Sequence, residues 1–210
     1  MVSLCYEPFC EKREITMRTQ IREYYHTNGN LRLRQHYKGE VLHREDGPAS
    51  EPFFEDGAIE FRRYYRTGEC HRDDGPAVEG FYQDGRLAFF RYYRNDEPHR
   101  IGGPAHEAFY EDGARKYREW YAHNQLHRED GPATETFTKN GVLESRSWIV
   151  RSELHREDGP AFEYFSSEDG QPIRIAYYLN DQLLTKQEYK RAMSLRKLAA
   201  QTAATGCDIL

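Results

Sequence analysis

Histidine, arginine and carboxylates recur together in this chain, in a pattern that invites metal or acid–base chemistry. His43-Arg44-Glu45-Asp46 is followed by Gly47-Pro48-Ala49. The element returns as His71-Arg72-Asp73-Asp74-Gly75-Pro76-Ala77 and His99-Arg100-Ile101-Gly102-Gly103-Pro104-Ala105. It returns again as His127-Arg128-Glu129-Asp130-Gly131-Pro132-Ala133 and His155-Arg156-Glu157-Asp158-Gly159-Pro160-Ala161, each 28 residues after the last. An imidazole beside carboxylates is the raw material of a zinc site or a proton relay. The spacing argues against both. Two strands per unit, at about 4.8 Å each, hold equivalent residues roughly 10 Å apart. Zinc needs its nitrogens at about 2 Å, so neighbouring rings cannot share an ion. One unit offers one histidine, and the third replaces both acids with Ile101 and Gly102. A catalytic constellation is a single arrangement, whereas these candidates repeat. The sequence has no Gly-rich phosphate loop, nucleophile elbow or zinc-peptidase helix motif, and Ser145 and Ser147 have no partner set. No catalytic, cofactor or metal site is expected, and the chain reads as a non-enzyme.

The same residues make sense as a structural corner. Arg44, Arg72, Arg100, Arg128 and Arg156 lie seven residues before Glu51, Glu79, Glu107, Glu135 and Glu163. Each pair is expected to meet across the corner or between neighbouring units. The histidine is expected to stack on an aromatic ring or bond a loop carbonyl. The Asp before Gly-Pro suits an Asx turn. Gly47, Gly75, Gly131 and Gly159, with Pro48, Pro76, Pro132 and Pro160, then define the corner; Gly103 and Pro104 do so in the third unit. Gly131→Val and Pro132→Gly are expected to perturb folding.

A fixed period of this length marks a repeat architecture. After each Glu comes a Phe (Phe53, Phe81, Phe109, Phe137, Phe165) and then a turn. The turns are Asp56-Gly57, Asp84-Gly85, Asp112-Gly113, Asn140-Gly141 and, one residue late, Asp169-Gly170. Such pairs favour type I′ hairpins. An aromatic run and a polar tip lead back to His-Arg. Two strands per unit restore the chain direction, so hairpins can pair edge to edge. The expected fold is all-β: an elongated, single-layer antiparallel hairpin array over 21–184, its first unit (about 21–42) degenerate. Residues 1–20 form an irregular N-terminal cap in which Tyr6, Phe9 and Ile15 cover the first unit. Residues 185–210 form a helix and tail. Thr185 to Glu188 is a capping box, the helix runs to about Ala203, and Gly206 is a stop signal. Tyr189, Ala192, Met193, Leu195, Leu198 and Ala199 form an apolar stripe expected to cover the last edge strand.

Composition agrees. Only 38% of residues are hydrophobic, yet 14% are aromatic, with 16 Tyr and 11 Phe. An aromatic, thin repeat fits that balance better than a compact globule. The net charge of −5 does not favour nucleic acid. Four cysteines without a CxxC pair read as free thiols in a reducing compartment. No apolar run is long enough for a transmembrane helix, and no secretory signal is expected. Arg62-Arg63-Tyr64-Tyr65-Arg66 and Arg91-Tyr92-Tyr93-Arg94 could stack on bases or hold phosphates. Alternation offers the other reading: one Tyr faces inward, its neighbour outward, and arginines cover the rings. Tyr82, Tyr92, Tyr110 and Tyr121 are candidates for an interaction surface.

The motif aromatic-aromatic-x-Asn/Asp-x-Leu-His-Arg-Glu-Asp-Gly-Pro-Ala resembles the MORN-like repeats of giant DNA viruses and some phage and bacterial proteins. Tyr121 to Ala133 and Arg151 to Ala161 carry the match best. The ending from Tyr178-Leu179-Asn180-Asp181 to Glu188-Tyr189 is similar to the close of such arrays. The resemblance covers roughly 21–190. It implies a β-hairpin array and a viral owner, with no catalytic residues to carry over. Related MORN modules are associated with scaffolding, dimerisation and, in some cases, membrane lipids. The period of 28 is longer than the usual MORN period, which weakens the lipid association. The expected function is a non-enzymatic scaffold for protein–protein interaction, as a structural or minor capsid component. Its partners would be capsid proteins or copies of itself. The alternatives are an intracellular module engaging host proteins, or a lipid- or nucleic-acid-binding adaptor. Host cytoplasm or virion is the expected location.

Overall fold

The computed structural model describes residues 18–205. The expected N-terminal cap with Tyr6, Phe9 and Ile15, and the stop at Gly206, lie outside the described residues, apart from residues 18–20, within which the first strand begins at Thr19.

Each unit places two strands in one 14-stranded antiparallel sheet. In the second corner's unit, Val78–Phe81 pairs with Leu87–Arg91, setting Val78 opposite Arg91, Glu79 opposite Phe90 and Gly80 opposite Phe89. The next unit joins through three residue pairs: His106 with Arg91, Glu107 with Phe90 and Ala108 with Phe89. The chain is thus the all-β hairpin array that the 28-residue period implies, closed by one helix, Lys186–Thr205.

The turns differ from the type I′ expectation. At Asp56-Gly57 the Gly57 N–H donates to Phe54 O at 2.9 Å, and Phe54 N–H donates to Ala58 O at 2.9 Å. Only Gly57 has a positive φ, +90°, and the Asp56 carboxylate accepts from Ala58 N–H. This is a three-residue loop, a type I turn closed by a left-handed glycine. The true pairs of positive φ lie at the polar tips: Asn95 (+51°) with Asp96 (+62°), and Asn180 (+49°) with Asp181 (+61°). The segments expected as returning loops are therefore second, smaller hairpins. Tyr65–Arg66 pairs with Glu69–Cys70, and three equivalents follow.

Among the described residues no large side chain is fully buried. The alanines that end the corner element (Ala49, Ala77, Ala105, Ala133 and Ala161) are completely enclosed, where the small hairpins meet the sheet. A single layer has no interior, so neighbouring side chains must support one another along its faces. Residues alternate between faces. One face carries a row from Glu23 and Arg34 through Glu51, Arg62, Glu79, Phe90 and Glu107 to Arg118, Glu135, Arg146, Glu163 and Ile175. Acid and base alternate along it except at Phe90 and Ile175, and like charges are never adjacent.

The helix begins with the expected capping box. Thr185 N–H donates to Glu188 at 2.8 Å, and Glu188 N–H to Thr185 Oγ1 at 3.2 Å. Tyr189 is buried and stacks on Tyr177 at 4.8 Å. The stripe covers less than expected. Tyr189, Ala192 and Met193 are sheltered, but Leu195 is 60% and Leu198 58% exposed. The first turns of the helix cap the edge strand through Tyr189 on Tyr177, and farther along Arg196 pairs with Glu157 at the fifth corner. Thr185→Ala is expected to cost about 1 kcal/mol, read as a fall in helical circular dichroism ahead of the main melt.

Candidate functional site

The corner is built around its arginine. The guanidinium of Arg72 lies 4.0 Å over Tyr64, Arg100 4.2 Å over Tyr92, Arg128 4.3 Å over Trp120 and Arg156 3.7 Å over Trp148. Its other face lies on glycine. A Cβ on Gly131 would stand 2.9 Å from Arg128 Cζ, and one on Gly159 3.0 Å from Arg156 Cζ. These glycines, with Gly47, Gly75 and Gly103, serve close approach; none has a positive φ. Arg44 meets His36 at 3.1 Å in place of an aromatic ring.

The expected pairing with Glu51, Glu79, Glu107, Glu135 and Glu163 is replaced. Arg44, Arg72 and Arg128 bond Asp46, Asp74 and Asp130 at 2.8 Å through Nε, and Arg156 bonds Asp158 at 2.5 Å. Their Nη1 groups, like that of Arg100, donate to the Pro carbonyl. Only Arg72–Glu79 approaches the expected contact, at 3.9 Å. The strand after the proline carries each Glu onto the sheet, where Glu135 pairs with Arg118 and Glu163 with Arg146. The Asp carboxylates are turned to arginine, in place of the expected Asx turn.

Four of the five corner histidines bond the next unit instead of a ring or carbonyl of their own. His43 Nδ1 accepts from Thr67 N–H at 3.0 Å, and His127 Nδ1 from Arg151 N–H at 3.1 Å. His71 and His155 hold Asn95 and Asn180 in the same way. The small hairpin of one unit is thereby tied to the corner of the previous one. Sequence reasoning missed this, although the signal exists: the partner is always 24 or 25 residues on. Among the described residues no group of three or more His, Cys, Asp or Glu could hold a metal.

The corner carboxylates give a pH test. Arg44, Arg72, Arg128 and Arg156 hold Asp46, Asp74, Asp130 and Asp158 below the ordinary carboxylate value. A group lowered in this way adds stability that is complete above its unfolded value of about 3.9. That stability is lost as pH falls through the folded value. Melting temperature is therefore expected to fall on acidification below about pH 4. Asp74→Asn with Asp130→Asn should flatten that limb; an unchanged limb would remove these ion pairs as its cause.

The four tyrosines proposed as surface are half-buried, and each makes contacts within the array. Tyr82 OH donates to Phe109 O at 2.7 Å and Tyr110 OH to Phe137 O at 2.9 Å, each joining one unit to the next. Tyr92 lies under Arg100. Tyr121 stacks on His106 at 4.7 Å, and burial, then Glu119, pushes its hydroxyl up to about 12. Tyr82→Phe is expected to cost about 1 kcal/mol, read by denaturant titration. The basic-aromatic stretches follow the alternation: Arg62 covers Phe81, Arg63 covers Phe61 and Arg91 covers Phe89. Tyr64 and Tyr65 are both half-buried, because neither side of a single layer is an inside.

The two faces differ. The ladder face repeats: Arg34, Arg62, Arg118 and Arg146 each lie over the Phe of the next unit, at 6.0, 5.1, 5.7 and 5.3 Å. The other face varies along the array. Ser50, Val78, His106, Thr134 and Phe162 occupy one equivalent position; Phe61, Phe89, Tyr117 and Ser145 occupy another. His106, packed between Tyr93 and Tyr121 and 3.3 Å from Glu119, has no counterpart in the other units. Between successive corners lie open clefts of 390 to 600 Å³. Cys70 is a buried free thiol, pushed up to about 12 by burial, and so inert. A scan against protein-family models finds no match to the chain, and no curated protein matches it either.

Proposed function

We propose that this chain is a non-enzymatic repeat scaffold that binds another protein through the varied face of its sheet. One observation carries the reading: the ladder face keeps its Glu–Arg pattern along most of the array, whereas the face opposite varies much more from one end to the other. Residues that only support a sheet can recur; residues that recognise a particular partner must differ along it. The titratable corner residues are committed to arginine stacks and inter-unit bonds, which leaves them no free constellation for catalysis. The resemblance to MORN-like repeats adds the viral setting, as a minor capsid or cementing component, with an intracellular host-binding module as the other version.

Ser147 is a half-buried hydroxyl on the varied face, so Ser147→Arg adds bulk there without removing a stack. Capture of the partner from extract is expected to fall at least about tenfold, as for the centre of an interface, while Glu129→Gln at an exposed corner leaves it unchanged. Unaltered capture by a folded Ser147→Arg protein would sink the assignment. Enrichment in purified particles, resistant to detergent and salt, would select the structural version.

A second reading rests on the helix. It carries Lys186, Lys190, Arg191, Arg196 and Lys197 against Glu188, in a chain of net charge −5. Salt-sensitive binding to anionic liposomes or nucleic acid would favour an adaptor; no binding at low salt would remove that reading.

A further inference from the structure

Exposed apolar side chains are confined almost wholly to the two ends of the array. Of eleven large ones among the described residues, four lie between Ile21 and Val41 and six between Tyr164 and Leu198; Ile101 alone lies between. The C-terminal end also leaves a strand edge open. Pro172–Leu179 pairs with Phe162–Phe165 on one side and, through Tyr177 to Leu179, with Gln182–Leu184. The stretch Pro172 to Ile175 is exposed, with Ile173 at 65% and Ile175 at 44%. Unpaired strand edges present backbone donors and acceptors that another strand satisfies.

We propose that two copies of this chain join at these ends, each pairing the edge strand Pro172–Leu179 with its twin about a two-fold axis at Ile175. The inference rests on the scaffold reading and names its first partner, a second copy. The register follows from charge. Centred on Ile175, the joint sets Ile175 against its twin and Arg174 against Ala176. The ladder row then reads Arg146, Glu163, Ile175 and back again, with no like charges adjacent. Three residue pairs form, as many as in the native joints between units.

The alternatives are worse. Pairing the N-terminal strand Thr19–Tyr25 with itself over its full length brings Arg22 onto Arg22. Continuing head to tail in phase would lay Thr19 to Ile21 of the next copy on Tyr177 to Leu179. Gln182–Leu184 already occupies that side.

Ile175 stands where other units carry Arg34, Arg62, Arg118 or Arg146. Ile175→Arg therefore restores the repeat and gives Glu163 a further partner within the monomer, yet sets arginine on arginine across the axis. Light scattering of the purified full chain at about 50 µM, a range where micromolar dimers populate, should give twice 24.8 kDa. Small-angle scattering should show nearly doubled length. Ile175→Arg should return the mass to 24.8 kDa with melting temperature unchanged or raised, and Ile21→Arg should remain dimeric. A wild-type monomer, a dimer that survives Ile175→Arg, or one broken instead by Ile21→Arg would overturn the proposal. A monomer whose partner capture still depends on Ser147 would overturn the joint alone. A dimer with no such capture would leave the joint standing and remove the scaffold reading.

Discussion

Trp148→Ala is expected to lower stability by about 3 kcal/mol, within the range for truncating a packed tryptophan. Trp148 lies between two guanidinium groups, Arg146 at 4.8 Å and Arg156 at 3.7 Å. Beyond Arg156 comes Gly159, and beyond Arg146 comes Phe165. Removing the indole interrupts this column at its centre and leaves the corner arginine without a surface. Trp148→Phe keeps a ring and should cost about 1 kcal/mol. The loss should be local, because repeats contact only their neighbours. Hydrogen exchange should show protection falling in residues around 143–165 while the first units keep theirs. A loss for Trp148→Ala no larger than for Trp148→Phe would mean that the column does not hold the corner.

The same column explains which parts of the molecule were legible in its sequence. Period, the main hairpin of each unit and the capping box follow from spacing alone, since Gly-Pro, Asp-Gly and Thr-x-x-Glu act over a few residues. What spacing hides is the direction in which a side chain points. Arg128 and Glu135 are close in sequence, yet the extended chain after Pro132 carries Glu135 to Arg118 on the neighbouring strand. Tyr82 and Tyr110 looked available because nothing nearby in sequence uses a hydroxyl; their acceptors, Phe109 and Phe137, are 27 residues on. The tips read as loops because Asn95-Asp96 and His123-Asn124 lack the Asn-Gly signature, although both residues of each pair adopt positive φ. The helix caps the final edge as its stripe implies, but through Tyr189 on Tyr177 in its first turns, while Leu195 and Leu198 stay exposed.

The division between a repeating and a varied face has its sharpest test at Gly80. This residue lies between Phe61 and Phe89 in the sheet, and the two rings tilt towards each other over it at 5.8 Å. A Cβ there would stand 2.6 Å from Phe89 Cζ and 2.8 Å from Cδ1, so the ring must move. Gly80→Thr is expected to cost about 3 kcal/mol, the upper end for overpacking. Two units later the equivalent pair is Thr136 with Ser145, whose hydroxyls bond at 2.7 Å. Adding Phe89→Ser to Gly80→Thr copies that pair and should recover most of the loss, a coupling of about 2 kcal/mol in a double-mutant cycle. Recovery would mean that cross-strand pairs on this face exchange as units while the Glu–Arg ladder behind them is undisturbed. A face that can be rewritten pair by pair, on a sheet held from its other side, is what recognition of a particular partner requires. If the double variant is no more stable than Gly80→Thr alone, the varied face is bound into the fold as tightly as the ladder. Its variation would then reflect local packing and not a partner.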